Sequence, residues 1–285
     1  MKLRGRRLIA QFVVVAGLSG LPFHAQEARG PAAADIVSRV QKNVAAFQIL
    51  LPDFICDERV TSQTIEKAKV TEEERVISSF RVTRRKSPVR SASPMFLESR
   101  EVISATVNGK PTTVRNYVLP LGVRGGFSDD LLYFFDKEKE KCFDFELAGS
   151  EEIRGRTALV LSIRVKDNVG LIGGKCSSLP PGKTSKAWVD SESMQVLRLQ
   201  MFSTRILMYT TPWNRGHNGE YLFYPSIDYA EAFINGTPYW MPAAKRGEFV
   251  KSKEQRSYLY VVEYSNYHKF QVSTNVLPAD REQSK

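Results

Sequence analysis

Few side chains in this sequence are spaced for chemistry. Beyond His24, the only histidines are His217 and His268, far apart in the chain and with no further histidine or cysteine at ligand spacing. A catalytic zinc takes three protein ligands, so the pattern predicts no metal centre and no cofactor. Nucleophile signatures are missing too: no Gly-x-Ser-x-Gly occurs, and no Ser-x-x-Lys is backed by its partner motifs. Asp129-Asp130 and Glu151-Glu152 are adjacent acids, but neighbours on a strand point to opposite faces, and Asp129-Asp130 is explained by helix capping. Gly170 to Lys175 fails as a phosphate loop, because Val169 stands where the first glycine is needed and Cys176 where Ser or Thr is. It and Gly122 to Gly126 are expected to be flexible loops. Asn235-Gly236-Thr237 is formally a glycosylation sequon, but a hairpin turn accounts for the same residues. The chain is expected not to be an enzyme.

The aromatic residues are unevenly placed. Tyr209, Trp213, Tyr221, Phe223, Tyr224, Tyr229, Phe233, Tyr239 and Trp240 put nine of the thirty Phe, Trp and Tyr residues between positions 209 and 240. Packing in a β-rich core is one explanation. The other is an apolar pocket, for which Trp213, Phe223, Tyr224, Phe233 and Trp240 are the candidate lining. Each methylene withdrawn from water is worth about 0.8 kcal/mol, which favours a greasy ligand over a sugar.

The elements that would position these residues are mostly strands. Val37, Val40, Val44, Phe47 and Leu51 recur 3, 4, 3 and 4 apart, which predicts one amphipathic helix between Pro31 and Pro52. Alternation then predicts strands over 75–84, with Val76, Phe80 and Val82 on one face, and over 101–107, with Ile103, Ala105 and Val107 together. Asn108-Gly109 predicts a hairpin into 112–119, and Ser128-Asp129-Asp130 a short capped helix bearing Leu131, Leu132, Phe134 and Phe135. Further strands are expected at 142–147, 156–166, 186–190, 196–202, 258–264 and 269–272, with a second hairpin at Asn235-Gly236. Two helices and roughly ten strands make an antiparallel sheet that must curl or stack to hide its apolar face.

Residues 1–25 place the rest. Lys2, Arg4, Arg6 and Arg7 precede an apolar run from Leu8 to Leu21 and a cleavable Pro22-Phe23-His24-Ala25. This is the layout of a secretory signal peptide, too short to span a bilayer, so the protein is expected to be exported, periplasmic or extracellular, with no transmembrane segment in the mature chain. Without the leader, 37 basic residues face 31 acidic ones, and no block of like charge concentrates the excess. A nucleic-acid partner is not indicated. In an oxidising compartment Cys56, Cys142 and Cys176 allow one disulfide. Alternation with Phe143 and Phe145 puts Cys142 on the polar face of a strand, and Cys176 lies in a loop, so a surface bond between Cys142 and Cys176 is the preferred pairing. None of the three sits in a lipobox, so no lipid anchor is expected. Residues 281–285 read as a frayed tail.

Two stretches carry a resemblance. Leu147-Ala148-Gly149-Ser150-Glu151-Glu152-Ile153-Arg154-Gly155-Arg156-Thr157-Ala158-Leu159-Val160-Leu161 resembles a Gly-x-Glu-x-Ile-x-Gly-Arg-x-Ala-x-x-Leu strand pair. That pair belongs to the superfamily of the lipoprotein carrier LolA and the sensor RseB. Ala187-Trp188-Val189-Asp190 followed by Gln195-Val196-Leu197-Arg198 is similar to its Trp-x-Asp strand, turn and Leu-Arg strand, and Tyr264 to Phe270 resembles a closing strand. The resemblance implies an α+β, mainly antiparallel fold: an incomplete, half-open β-barrel covered by helices, whose concave face receives acyl chains or a partner segment. It implies turn-bonding roles for Asp190 and Ser191 and strand-edge or outer-face positions for Arg156 and Arg198. It would make 26–280 one domain, with an insertion near 206–255 outside the pattern. The expected function is non-enzymatic binding of a lipid, lipoprotein or other apolar ligand. The alternatives are an envelope sensor that docks a protein and, less favoured, a hydrolase of envelope polymers.

Overall fold

The computed structural model describes residues 32–85, 95–113, 129–208, 219–251 and 256–270. The signal peptide expected at 1–25, Trp213, the expected 281–285 tail and Gly122 to Gly126 lie outside them.

Helix α1 spans Ala33–Leu50 and buries Val37, Val40 and Val44 of the stripe that the spacing predicts, together with Ile36. Each such side chain taken from water contributes about 2 kcal/mol. Asp35 lies in the first turn, where the helix dipole favours an acid. The helix stops at Leu51, ahead of Pro52, and the Leu51 carbonyl accepts from Arg84 Nη2 at 2.5 Å.

The strands are β1 (Phe54–Glu66), β2 (Lys69–Arg85), β3 (Met95–Val107), β4 (Lys110–Pro111), β5 (Phe143–Ile153) and β6 (Arg156–Val165). They continue as β7 (Thr184–Asp190), β8 (Val196–Gln200), β9 (Thr204–Met208), β10 (Gly219–Ile234), β11 (Thr237–Lys251) and β12 (Arg256–Lys269). Helix α2 (Asp129–Phe135) and a 3-10 turn (Lys137–Cys142) precede β5, and helix α3 (Val169–Ile172) lies between β6 and β7. All twelve strands belong to one sheet in the order β4-β3-β2-β1-β12-β11-β10-β8-β7-β6-β5, with β9 beside β10. Every described pair is antiparallel, and β4 and β5 at the two ends do not pair with each other, so the sheet is open.

Hairpin chemistry sets much of the register. Asn108 and Gly109 sit at φ 49° and 76°, and Asn235 and Gly236 at 49° and 80°, the paired positive φ of a two-residue loop. Lys67 and Ala68 turn β1 into β2 with the same signs of φ, although neither residue favours them. The described part of the 206–255 segment, expected as an insertion, supplies β9, β10 and β11, and the last two stand in the middle of the strand order.

The inner face of the sheet is the one that packs under α1 and α2. Leu161, Ile163, Ala187, Val189 and Leu199 meet Val40, Val44, Phe134 and Phe135 there in one buried cluster. Farther along, Val60, Val76, Tyr221, Phe249, Tyr258, Tyr260 and Val262 form a second, and Leu51, Phe54, Cys56, Phe80 and Val82 a third. A small outer-face cluster of Ile153, Ala158, Val160, Trp188 and Leu197 lies behind the first.

Five expectations are corrected. Ile103 does not share a face with Ala105: a bulge against Ile77 and Ser78 takes Ile103 out of the ladder and leaves it 60% exposed, while Val102 packs inward. Cys142 is not on a strand's polar face, because the 3-10 turn ends on it before the alternation starts, and it is buried. Its disulfide to Cys176, with 5.4 Å between Cα atoms, is therefore internal and not on the surface. Gly170 to Lys175 is no loose loop either, since α3 and a 3-10 turn over Gly174–Cys176 wind it down to the buried Cys176. Finally, 258–264 and 269 belong to one strand, β12.

Candidate binding groove

A groove of about 320 Å³ runs between α1, the turn from β7 to β8, and the β10–β11 hairpin. Val40, Val44, Phe47 and Leu50 line it from the helix, Leu131 from α2, Met194 and Val196 from the turn, and Pro238, Tyr239 and Trp240 from β11. The stripe on α1 explains the helix wall: Val40 and Val44 are buried, Phe47 is half-buried, and Leu50, one residue off the stripe, is 65% exposed. Ile49 beside it is 68% exposed, so the helix end is unusually greasy for a surface.

The turn opposite is built by Asp190. Its Oδ1 accepts from Glu192 N at 2.9 Å and Ser193 N at 3.0 Å, the role that the Trp-x-Asp resemblance implies for this residue, while its Oδ2 pairs with Arg156 Nη1 at 2.5 Å. Burial works against the Asp190 charge, but the Ser193 and Glu192 amides and Arg156 together hold its carboxyl below the usual carboxylate range. Met194 then takes a positive φ of 56°, and its side chain is buried against the helix-covered cluster. Asn43 of α1 clasps the same turn, donating from Nδ2 to the carbonyls of Ser193 at 3.0 Å and Met194 at 2.8 Å.

Trp240 closes the third side. Its indole N–H donates to the Val196 carbonyl at 2.7 Å, and the Arg156 guanidinium lies 5.7 Å from the ring centre. The hydrogen bond leaves the ring as apolar surface without orphaning its polar edge. Arg154, in the turn from β5 to β6, donates to the carbonyls of Leu197 at 3.1 Å and Tyr229 at 2.6 Å, fixing the strands behind.

The described aromatic candidates do not come together. Trp240 lines the groove, whereas Phe223 stacks on Phe249 at 4.3 Å in the second cluster, about 30 Å from Phe233 along β10. Tyr224 points away from Phe223 and is 43% exposed, and Phe233 is 57% exposed near the hairpin tip. A long strand spreads them out, and consecutive residues on it take opposite faces. The sequence reading missed Leu50, Asn43 and Met194: the helix period was visible, but its partner turn was not. Asp190 was the available signal, since it locates that turn.

The other depressions differ in chemistry. One of about 380 Å³ lies on the opposite flank of α1, between Gln41, Ala45 and Gln48 and Leu132 and Phe135. A more open one of about 740 Å³ has Phe143 and Phe145 among Lys137, Lys141, Lys166 and Lys175, with Glu138 and Glu140 interspersed. Among the described residues no group of three His, Cys, Asp or Glu side chains is placed to hold a metal ion, and no helix is long and apolar enough to cross a membrane.

No protein-family model and no curated protein matches the chain. Solved structures similar to it include a LolA superfamily protein of Nitrosomonas europaea, at 12% identity and a TM-score of 0.34, covering 85% of this chain and 96% of that one. A DUF1329 family protein of Desulfovibrio piger is 12% identical with a TM-score of 0.37, covering 83% and 91%. The lipoprotein LppX of Mycobacterium tuberculosis is 8% identical with a TM-score of 0.29, covering 85% and 99%. The LolA superfamily, which the 147–161 and 187–198 motifs resemble, is thus named among the similar structures.

Proposed function

We propose that the protein is exported and acts without catalysis, holding an apolar ligand, a lipid or the acyl part of a lipoprotein, in the groove between α1 and the β10–β11 hairpin. The observation that carries this reading is the groove's wall. Phe47, Leu50 and Trp240 offer apolar surface in one concavity floored by the buried Val40, Val44 and Val196, and the polar hydrogens of Asn43 and Trp240 are already spent on backbone carbonyls. Apolar ligand sites have this composition, and about 320 Å³ is near the lower end of their range. The leader at 1–25 supports export to a compartment where such a carrier meets membrane lipids.

Delipidated protein is expected to bind a neutral fluorogenic dye such as N-phenyl-1-naphthylamine with one-to-one stoichiometry. Leu50→Glu, at an exposed position, should weaken that binding about tenfold with thermal stability within a degree or two of wild type. Folded protein that leaves the dye dark would refute the proposal.

A further inference from the structure

Resting on the apolar-groove reading, we infer that the ligand is a single hydrocarbon chain whose head group is uncharged, an alcohol, ester or amide. The described polar side chains on the wall are Asn43, Gln195, Thr237 and Tyr239, all neutral. With the Asn43 amide hydrogens and the Trp240 N–H engaged on carbonyls, what remains to meet a head group is the Asn43 amide oxygen, the Gln195 amide and two hydroxyls. These groups satisfy a hydroxyl, ester or amide by hydrogen bonding.

Two ion pairs flank the wall. Arg156, over the Trp240 ring, is paired with Asp190, and Asp130, next to Leu131, is paired with Lys245 at 3.2 Å. A carboxylate head would leave water for a wall whose described side chains include no cation to receive it, and an ammonium head would find no carboxylate. The volume is that of a small site and suits one chain better than several.

The test uses three amphiphiles with the same saturated chain, a primary alcohol, a carboxylate and a trimethylammonium. Each displaces N-phenyl-1-naphthylamine from delipidated protein near neutral pH, below its micelle concentration. The alcohol is expected to displace the dye at about one-tenth the concentration of either ion. Gln195→Arg/Thr237→Arg, which adds cations at two partly or fully exposed wall positions, should bring the carboxylate level with the alcohol or ahead of it. A wild-type protein that takes the carboxylate as readily as the alcohol, or a double variant with unchanged preference, overturns the inference and leaves the apolar groove standing. Failure of the dye itself to bind removes both.

Discussion

The two ends of the sheet hide their inner faces differently. At the β5–β8 end, α1 and α2 supply aliphatic and aromatic side chains, the Cys142–Cys176 bridge anchors the cover, and the buried cluster is almost wholly apolar. At the β1–β3 end the inner face carries ions. Arg100 of β3 reaches across β2 to Glu58 of β1, at 3.0 and 2.8 Å from the two carboxylate oxygens, with Glu58 fully buried and the guanidinium 4.3 Å from the Phe80 ring centre. Tyr264 of β12 bonds the same carboxylate. One end thus holds its strands by area buried under helices, while the other adds to its apolar clusters a side-chain network that links β3, β1 and β12. Area stabilises without regard to direction, whereas a buried charge demands a partner in one place.

That contrast can be broken first at Arg100. Arg100→Ala leaves Glu58 buried without its counter-ion and should cost about 4 kcal/mol in urea unfolding, while Arg100→Met/Glu58→Met should recover most of it. A loss below about 1 kcal/mol for the single variant would show that the β1–β3 end, too, is held by area alone. Next comes the bridge. Cys142→Ala/Cys176→Ala opens a loop with a sequence separation of 34 and should lower stability by about 3 kcal/mol, with dye binding in the groove retained because neither cysteine lines it. Loss of binding in protein that remains folded would mean that the bridge also shapes the groove.

The smallest effect is in the pH profile, and its sign differs between the groups. Asp190 and Asp228 are held below the ordinary carboxylate range despite their burial, Asp190 by amides and Arg156, Asp228 by Arg198 and Arg246. Their stabilisation is present above the unfolded pKa of about 3.9 and is lost as pH falls through the lower folded values. Burial pushes Glu58 the other way, above the carboxylate range, against Arg100 and Tyr264. Its ionisation therefore weighs against folding at neutral pH, and that penalty fades as pH falls through the raised folded pKa. Urea midpoints should rise slightly on mild acidification and then fall below about pH 4. Glu58→Gln should flatten the rise, Asp190→Asn/Asp228→Asn the fall, and a profile unchanged by either set would refute these assignments.

What could be read from the sequence was local. Asn108-Gly109 and Asn235-Gly236 announce their turns because only a few residue types take paired positive φ, and the α1 stripe shows because a helix repeats its period. Ile103 misled because a bulge shifts parity by one residue without a compositional mark. The Lys67-Ala68 turn passed unnoticed for the converse reason, since its residues do not advertise their φ. Of the groove, Trp240 was legible as an aromatic candidate, but Asn43 meeting Ser193 and Met194 joins segments distant in the chain, and no single stretch encodes that meeting. Glu58 and Arg100 were hidden likewise, since the expected strands over 75–84 and 101–107 include neither residue and the β1 stretch was not read as a strand.

The pairing of β1 with β12 carries a consequence for folding order. Phe54 lies opposite Lys269 and Glu66 opposite Arg256, so the ladder joins the first and the last of the described strands. Until the last strand has been synthesised, β1 has its β2 edge satisfied and its other edge bare, and Glu58 lacks Tyr264. Contacts of such long sequence separation slow folding, because the intervening chain must be gathered before they repay its entropy. A polypeptide with this wiring stays unfinished while it is being made, and its first strand waits for its last to complete the sheet between them.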